Sequence, residues 1–152
     1  VAGPGGDGIR LRGSAVTMEV ILDDQSHGRI LEQNDVVHPG DRIGFRVRAR
    51  RAGHLLVLGV DDRDTAYPCY PQRPSASAVA FEATDGFVRL EEAIRFDAIP
   101  GREKLAAILC DQPFDIQRAA RAVLSGLEEA GLDGCAIDRL VLIKKADGGT
   151  SL

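Results

Sequence analysis

Apolar and polar residues alternate through most of the first hundred positions. Within residues 9–22, Val16, Met18, Val20 and Leu22 fall on one side and Thr17 and Glu19 on the other, the period-two pattern of a strand with one buried face. The run Asp23-Asp24-Gln25-Ser26-His27-Gly28 is a turn cluster, and a short strand over 29–32 returns from it. After His38-Pro39-Gly40-Asp41, residues 42–50 carry the clearest signal. Ile43, Phe45, Val47 and Ala49 alternate with Arg42, Arg46, Arg48 and Arg50, which predicts a half-buried strand with a basic outer face.

Two stretches break this alternation by being apolar throughout. Residues 54–60 and 105–110 read as central strands covered on both faces. Asp61-Asp62-Arg63-Asp64 turns the first of them into a hairpin partner over 65–70, where Pro68 and Pro71 put the chain at a sheet edge. Residues 71–79 read as a loop. Short strands are expected over 79–81, 87–90 and 94–98, with Pro100-Gly101 as a break. The period then changes. Ile116, Ala119, Ala120, Val123, Leu124 and Leu127 form one stripe at helical spacing, predicting a helix over 115–130 that is capped by Asp115 and closed by Gly131. Residues 137–145 read as a last strand.

About eight strands, one helix and no alternation of strand with helix predict a mainly β fold. The expected architecture is an antiparallel β-sandwich or partly open barrel, with one amphipathic α-helix near the C-terminus. Residues 9–146 form the single domain. Residues 1–8, rich in glycine, read as a flexible tether from an upstream anchor or domain, and residues 147–152 as a loose tail.

Composition narrows the function. The chain has 152 residues, 44% hydrophobic and 28% charged, which suits one globular domain rather than a disordered chain. A net charge of −4 argues against a nucleic-acid binder held by a broad basic face. No apolar run approaches the ~20 residues needed to span a bilayer, so this segment does not itself insert into a membrane.

Candidate chemistry is sparse. Of the three cysteines, Cys69, Cys110 and Cys135, none forms a C-x-x-C pair. They read as small buried residues; a Cys110–Cys135 bridge across the intervening helix is the alternative, and the compartment stays undecided. His27, His38 and His54 lack a second ligand at metal spacing, so no metal or other cofactor is implied. The acidic turn at 61–64 lacks the glycine and closing glutamate of a calcium loop. The enzyme reading that remains is a small cysteine hydrolase of caspase-like type, using Cys110 with His27 or His54. The arginine row, with Arg46 and Arg48 at its centre, is either a phosphate- or acid-binding face or a solvated face paired across strands. Tyr67 and Tyr70, with Arg73 beyond, sit on a stiff proline-bracketed segment suited to recognition; the alternative is packing of their rings over the sheet edge.

The stretch His38-Pro39-Gly40-Asp41-Arg42-Ile43, followed by Gly53-His54-Leu55 through Val60-Asp61 and by Tyr67-Pro68-Cys69-Tyr70-Pro71, resembles a bacterial domain family of unknown function. Its later Pro-Gly-x-Glu stretch is matched by Pro100-Gly101-Arg102-Glu103 on to Cys110-Asp111-Gln112-Pro113. Arg63 or Asp64 stands where the family has a glycine. The resemblance implies an envelope-side domain of membrane-anchored, anti-sigma-factor-like proteins of myxobacteria, or a companion of caspase-like peptidases and kinases. It carries no catalytic residue. The expected function is therefore a non-enzymatic sensing or interaction module that binds a protein or envelope ligand. It would work in the periplasm or envelope, with the cytoplasm as the alternative. Its contacts would be Tyr67, Tyr70 and Arg73 first, and Arg46 and Arg48 second. A passive accessory domain is the remaining alternative.

Overall fold

The computed structural model describes residues 15–24, 27–73 and 76–146. The expected tether at 1–8, the start of the first strand and the tail at 147–152 lie outside the described residues. Among the described residues ten strands and one helix follow in chain order: β1 (Val16–Asp24), β2 (His27–Leu31), β3 (Val36–Val37), β4 (Arg42–Ala49), β5 (Gly53–Val60), β6 (Ala66–Tyr70), β7 (Val79–Phe81), β8 (Val88–Arg95), β9 (Gly101–Cys110), α1 (Ile116–Ser125) and β10 (Cys135–Lys144). They build a sandwich, not a closed barrel. One sheet has the order β2-β1-β4-β8, and the other β3-β10-β9-β5-β6, with β7 also pairing β5. All pairs are antiparallel except β3 with β10, which is parallel and makes the second sheet mixed.

The alternation along β1 and β4 is what joins the sheets. Met18, Val20, Ile43, Phe45 and Val47 meet Leu55, Val57, Leu105, Leu109, Leu140 and Leu142 between the layers. Each such side chain taken fully from water contributes roughly 2 kcal/mol. The continuous apolar runs of β5 and β9 have a second cause. Their other face, with Leu56, Leu58, Ala106 and Ile108, packs against Ala119, Ala122 and Val123 of α1. A strand covered on both sides has no position left for a polar residue.

Four expectations at element boundaries are corrected. The helix ends at Ser125 rather than near 130, because Gly126 takes φ 106° and its N–H closes on the Ala122 carbonyl. Gly131 is left-handed as expected, φ 69°, but in the turn beyond. The two strands expected at 87–90 and 94–98 are one strand, β8, with an irregularity of register opposite Gly44 to Arg46 that carries the chain through Glu91 and Glu92. β9 begins at Gly101, directly after Pro100, and β3 is a two-residue strand that no periodicity announces. The helix cap holds: the Asp115 carboxylate accepts the Arg118 N–H at 2.9 Å.

Candidate functional site

The inward-facing positions of β9 are apolar until the end of the sandwich, and so are those of β10 beyond the buried Asp138, whose carboxylate accepts the Met18 N–H at 2.8 Å. At that end the series Leu109, Ala107, Leu105 reaches Glu103, and the series Leu140, Leu142 reaches Lys144. Both are charged, and both are buried: the Lys144 side chain is 2% exposed and that of Glu103 3%. Ions cannot lie there unpaired. The Lys144 ammonium donates to a Glu103 oxygen at 3.0 Å and also to Asp97, from the segment after β8. The other Glu103 oxygen accepts the Tyr67 hydroxyl at 2.5 Å. The Phe96 ring lies 5.5 Å from the Lys144 nitrogen.

Tyr67 reaches this carboxylate because of its cross-strand neighbour. In the β5–β6 register it stands opposite Gly59, and a Cβ at Gly59 would fall on the Tyr67 ring. The glycine lets the ring lie flat across β5. Above this cluster opens a cavity of about 440 Å³, walled by Asp61, Thr65, Tyr67, Gln72, Ile94 and Asp97 among others. Asp61 is held by its own turn, its carboxylate accepting the Arg63 and Thr65 N–H groups, each at 2.9 Å. The site thus has a fixed, charged floor and a rim of exposed polar groups, the arrangement typical of ligand cavities.

The electrostatics follow from the contacts. Burial alone would lower the Lys144 pKa, but the hydrogen bonds to Asp97 and Glu103 and their charges outweigh it and hold the ammonium above the ordinary lysine range. The same Lys144 hydrogen bond, helped by the Ile99 N–H, keeps Asp97 below the usual carboxylate range. Tyr67 is pushed well up, by burial first and then by the neighbouring Cys69 and Glu103. Cys69, fully buried, is also pushed up by burial and by Glu103, so its thiol stays protonated and inert.

Stability should therefore fall at both ends of the pH scale. A depressed carboxylate contributes above about pH 4 and loses that contribution as pH drops through its folded-state value. A raised ammonium contributes up to about pH 10.4 and loses it only as pH climbs through its folded-state value. Asp97→Asn should flatten the acid limb of a Tm–pH profile. An acid limb identical to wild type would show that the Asp97–Lys144 bond is not formed in solution.

The structure separates the residues expected to share a contact surface. Tyr67 faces the end cavity. Tyr70 packs partly against the sandwich core and lines a smaller pocket with Pro71, Arg73 and Glu92. Arg73 is exposed beside it. The Tyr67 ring thus lies across β5 toward β9, and the Tyr70 ring packs partly on the core. Arg46 and Arg48 lie elsewhere, on the outer face of the four-stranded sheet, with Arg46 paired to Glu19 and both guanidiniums over the Phe87 ring at 5.5 and 5.3 Å. Most of that face is paired across strands, Arg42 with Asp23 at 3.6 Å and Arg89 with Asp23 at 4.0 Å.

Cys110 and Cys135, opposite each other in the β9–β10 register, form a disulfide. The β5–β9 register also sets His54 opposite Cys110, so the two side chains share one face of the sheet. In this state the sulfur is bonded and offers no thiolate for the imidazole to activate. The side chain of His27 lies outside the described residues. Among the described residues no three His, Cys, Asp or Glu side chains are grouped to hold a metal ion, and no helix is long and apolar enough to cross a membrane. Glu103 and Lys144 were absent from the sequence-derived candidates. The signal that finds them is the inward series of β9 and β10 carried one step beyond its last apolar residue.

No protein-family model matches the chain, and no curated protein matches it at significance. What fold and cavity define is a class: a helix-backed β-sandwich with a charged, buried floor at one end.

Proposed function

We propose that the domain is a non-enzymatic sensing module that takes an envelope ligand in the end cavity, as part of a membrane-anchored regulatory protein. The observation that carries this reading is the Tyr67–Glu103–Lys144 cluster. A sandwich stabilised by apolar burial gains little by ending its core in a buried ion pair, whereas a binding site gains fixed, oriented donors and acceptors. The disulfide supports an oxidising compartment, since such bonds persist in the periplasm and outside the cell. It also speaks against Cys110 as a nucleophile. The resemblance to envelope-side domains points to the same setting.

The test is a thermal-shift screen of the folded protein against soluble envelope components, with Thr65→Trp as the blocked control. Thr65 is exposed at the cavity rim, so the substitution should change Tm by no more than about 2 °C while filling the mouth. Components that raise the wild-type Tm should leave Thr65→Trp unmoved. A passive accessory domain predicts no shift with any component, and equal shifts in both proteins would move the site away from this cavity.

A further inference from the structure

Within β4, one arginine of the outer sheet face has no ion pair among the described residues. In the β1–β4 register, Arg42 stands opposite Asp23 and Arg46 opposite Glu19, each with its carboxylate. Arg48 stands opposite Thr17. Its Nε is buried and has no hydrogen-bond partner, while its guanidinium is held over Phe87 at 5.3 Å. A buried, charge-bearing donor left open is costly and is resolved by an acceptor from outside.

The space beside Arg48 is not open solvent. A groove of about 330 Å³ lies there, with Met18, Ile30, Leu31, Phe87 and Leu140 as apolar walls. Ile30 is 49% exposed, a large apolar side chain with one face unused. The two carboxylates on the lining are Glu19, engaged by Arg46, and Glu32. We infer that this groove is a binding site for an aliphatic monocarboxylate. The head group would supply to Arg48 the carboxylate that Thr17 does not, and the chain would cover the apolar walls. Guanidinium suits a carboxylate because its planar fork donates two parallel bonds. The volume is at the lower end of small-molecule sites, which suits a chain of moderate length rather than a folded partner. The site shares no lining residue with the end cavity and does not rest on the function proposed for it.

Octanoate is the direct probe, and octan-1-ol its neutral counterpart. Titration of the isotopically labelled full chain should give saturable amide shifts at Ile30, Phe87 and Arg48 with octanoate. Octan-1-ol should bind about tenfold more weakly or worse, the value of one charge-assisted hydrogen-bond pair. Arg48→Gln should weaken octanoate by a similar factor and leave octan-1-ol unchanged. Ile30→Glu, at an exposed position the fold tolerates, should abolish octanoate binding, and decides the matter if Arg48→Gln unfolds. Equal binding of acid and alcohol, shifts confined to another surface, or octanoate binding that survives Ile30→Glu would each overturn the inference. So would the absence of saturable binding.

Discussion

Lys144→Met should destabilise the domain by about 3–5 kcal/mol, the usual consequence of removing one partner from a buried ion pair. Glu103 remains 3% exposed with Tyr67 as its hydroxyl donor, and one hydrogen bond does not compensate a carboxylate held away from water. For a chain of this length the loss corresponds to roughly 10 °C in Tm. The control is the double variant Lys144→Met/Glu103→Leu, which removes both charges at similar volume. It should recover most of the loss, because a well-packed apolar pair is as stable as a buried ionic one or more so. Tyr67→Phe added to the double variant removes the hydroxyl left without its acceptor and should recover more. Urea denaturation of the four proteins measures this. A single variant within about 1 kcal/mol of wild type would show the pair to be solvated, and the charged floor of the cavity would go with it.

That cluster also marks the limit of what a single sequence discloses. The strands of the sandwich are legible because one face of each is buried, so alternation in β1 and β4 writes the layer contact directly into the chain. β5 and β9 are legible for the opposite reason: α1 covers their second face, and alternation vanishes. What is not legible is anything decided between strands. β8 carries no local sign that its halves are continuous, since its irregularity is defined against Gly44 to Arg46 of β4. The helix stripe ran past Gly126 because Leu127 still packs on the second core from a turn. Tyr67 was legible as an aromatic on a stiff edge strand, but its direction depends on Gly59 across the ladder. Glu103 and Lys144 lie 41 positions apart, the difference of their numbers, and are ordinary strand-end charges until the β9–β10 register places Glu103 beside Leu142. The cysteine pairing was equally undecided until that register set Cys110 opposite Cys135.

Reduction of that disulfide should lower stability by about 3 kcal/mol, the chain-entropy value for a loop of this size, since the two cysteines are 25 positions apart. The closed loop contains α1, and α1 covers the second face of β5 and β9. The bond therefore acts where the fold most needs it. Without the bond the helix layer is held to the sheet by its own apolar contacts, by Arg139 of β10, which donates to the Ala122 carbonyl at 3.0 Å, and by Arg51, which donates to Asp111 at 2.7 Å and to the Gly134 carbonyl at 3.2 Å. The core between the two sheets does not include the helix, so the reduced protein should open first at the helix. Hydrogen exchange of the 116–125 amides should accelerate more than that of β1 and β4 amides. Wild type in reductant and the Cys110→Ala/Cys135→Ala variant without it should lose the same amount, about 6–12 °C in Tm. A loss under about 2 °C in both would mean that the closed loop adds nothing to the fold, and would remove the strongest support for an oxidising compartment. A full loss confined to the helix layer would make the covered faces of β5 and β9 the part of the domain that depends on the redox state of its surroundings.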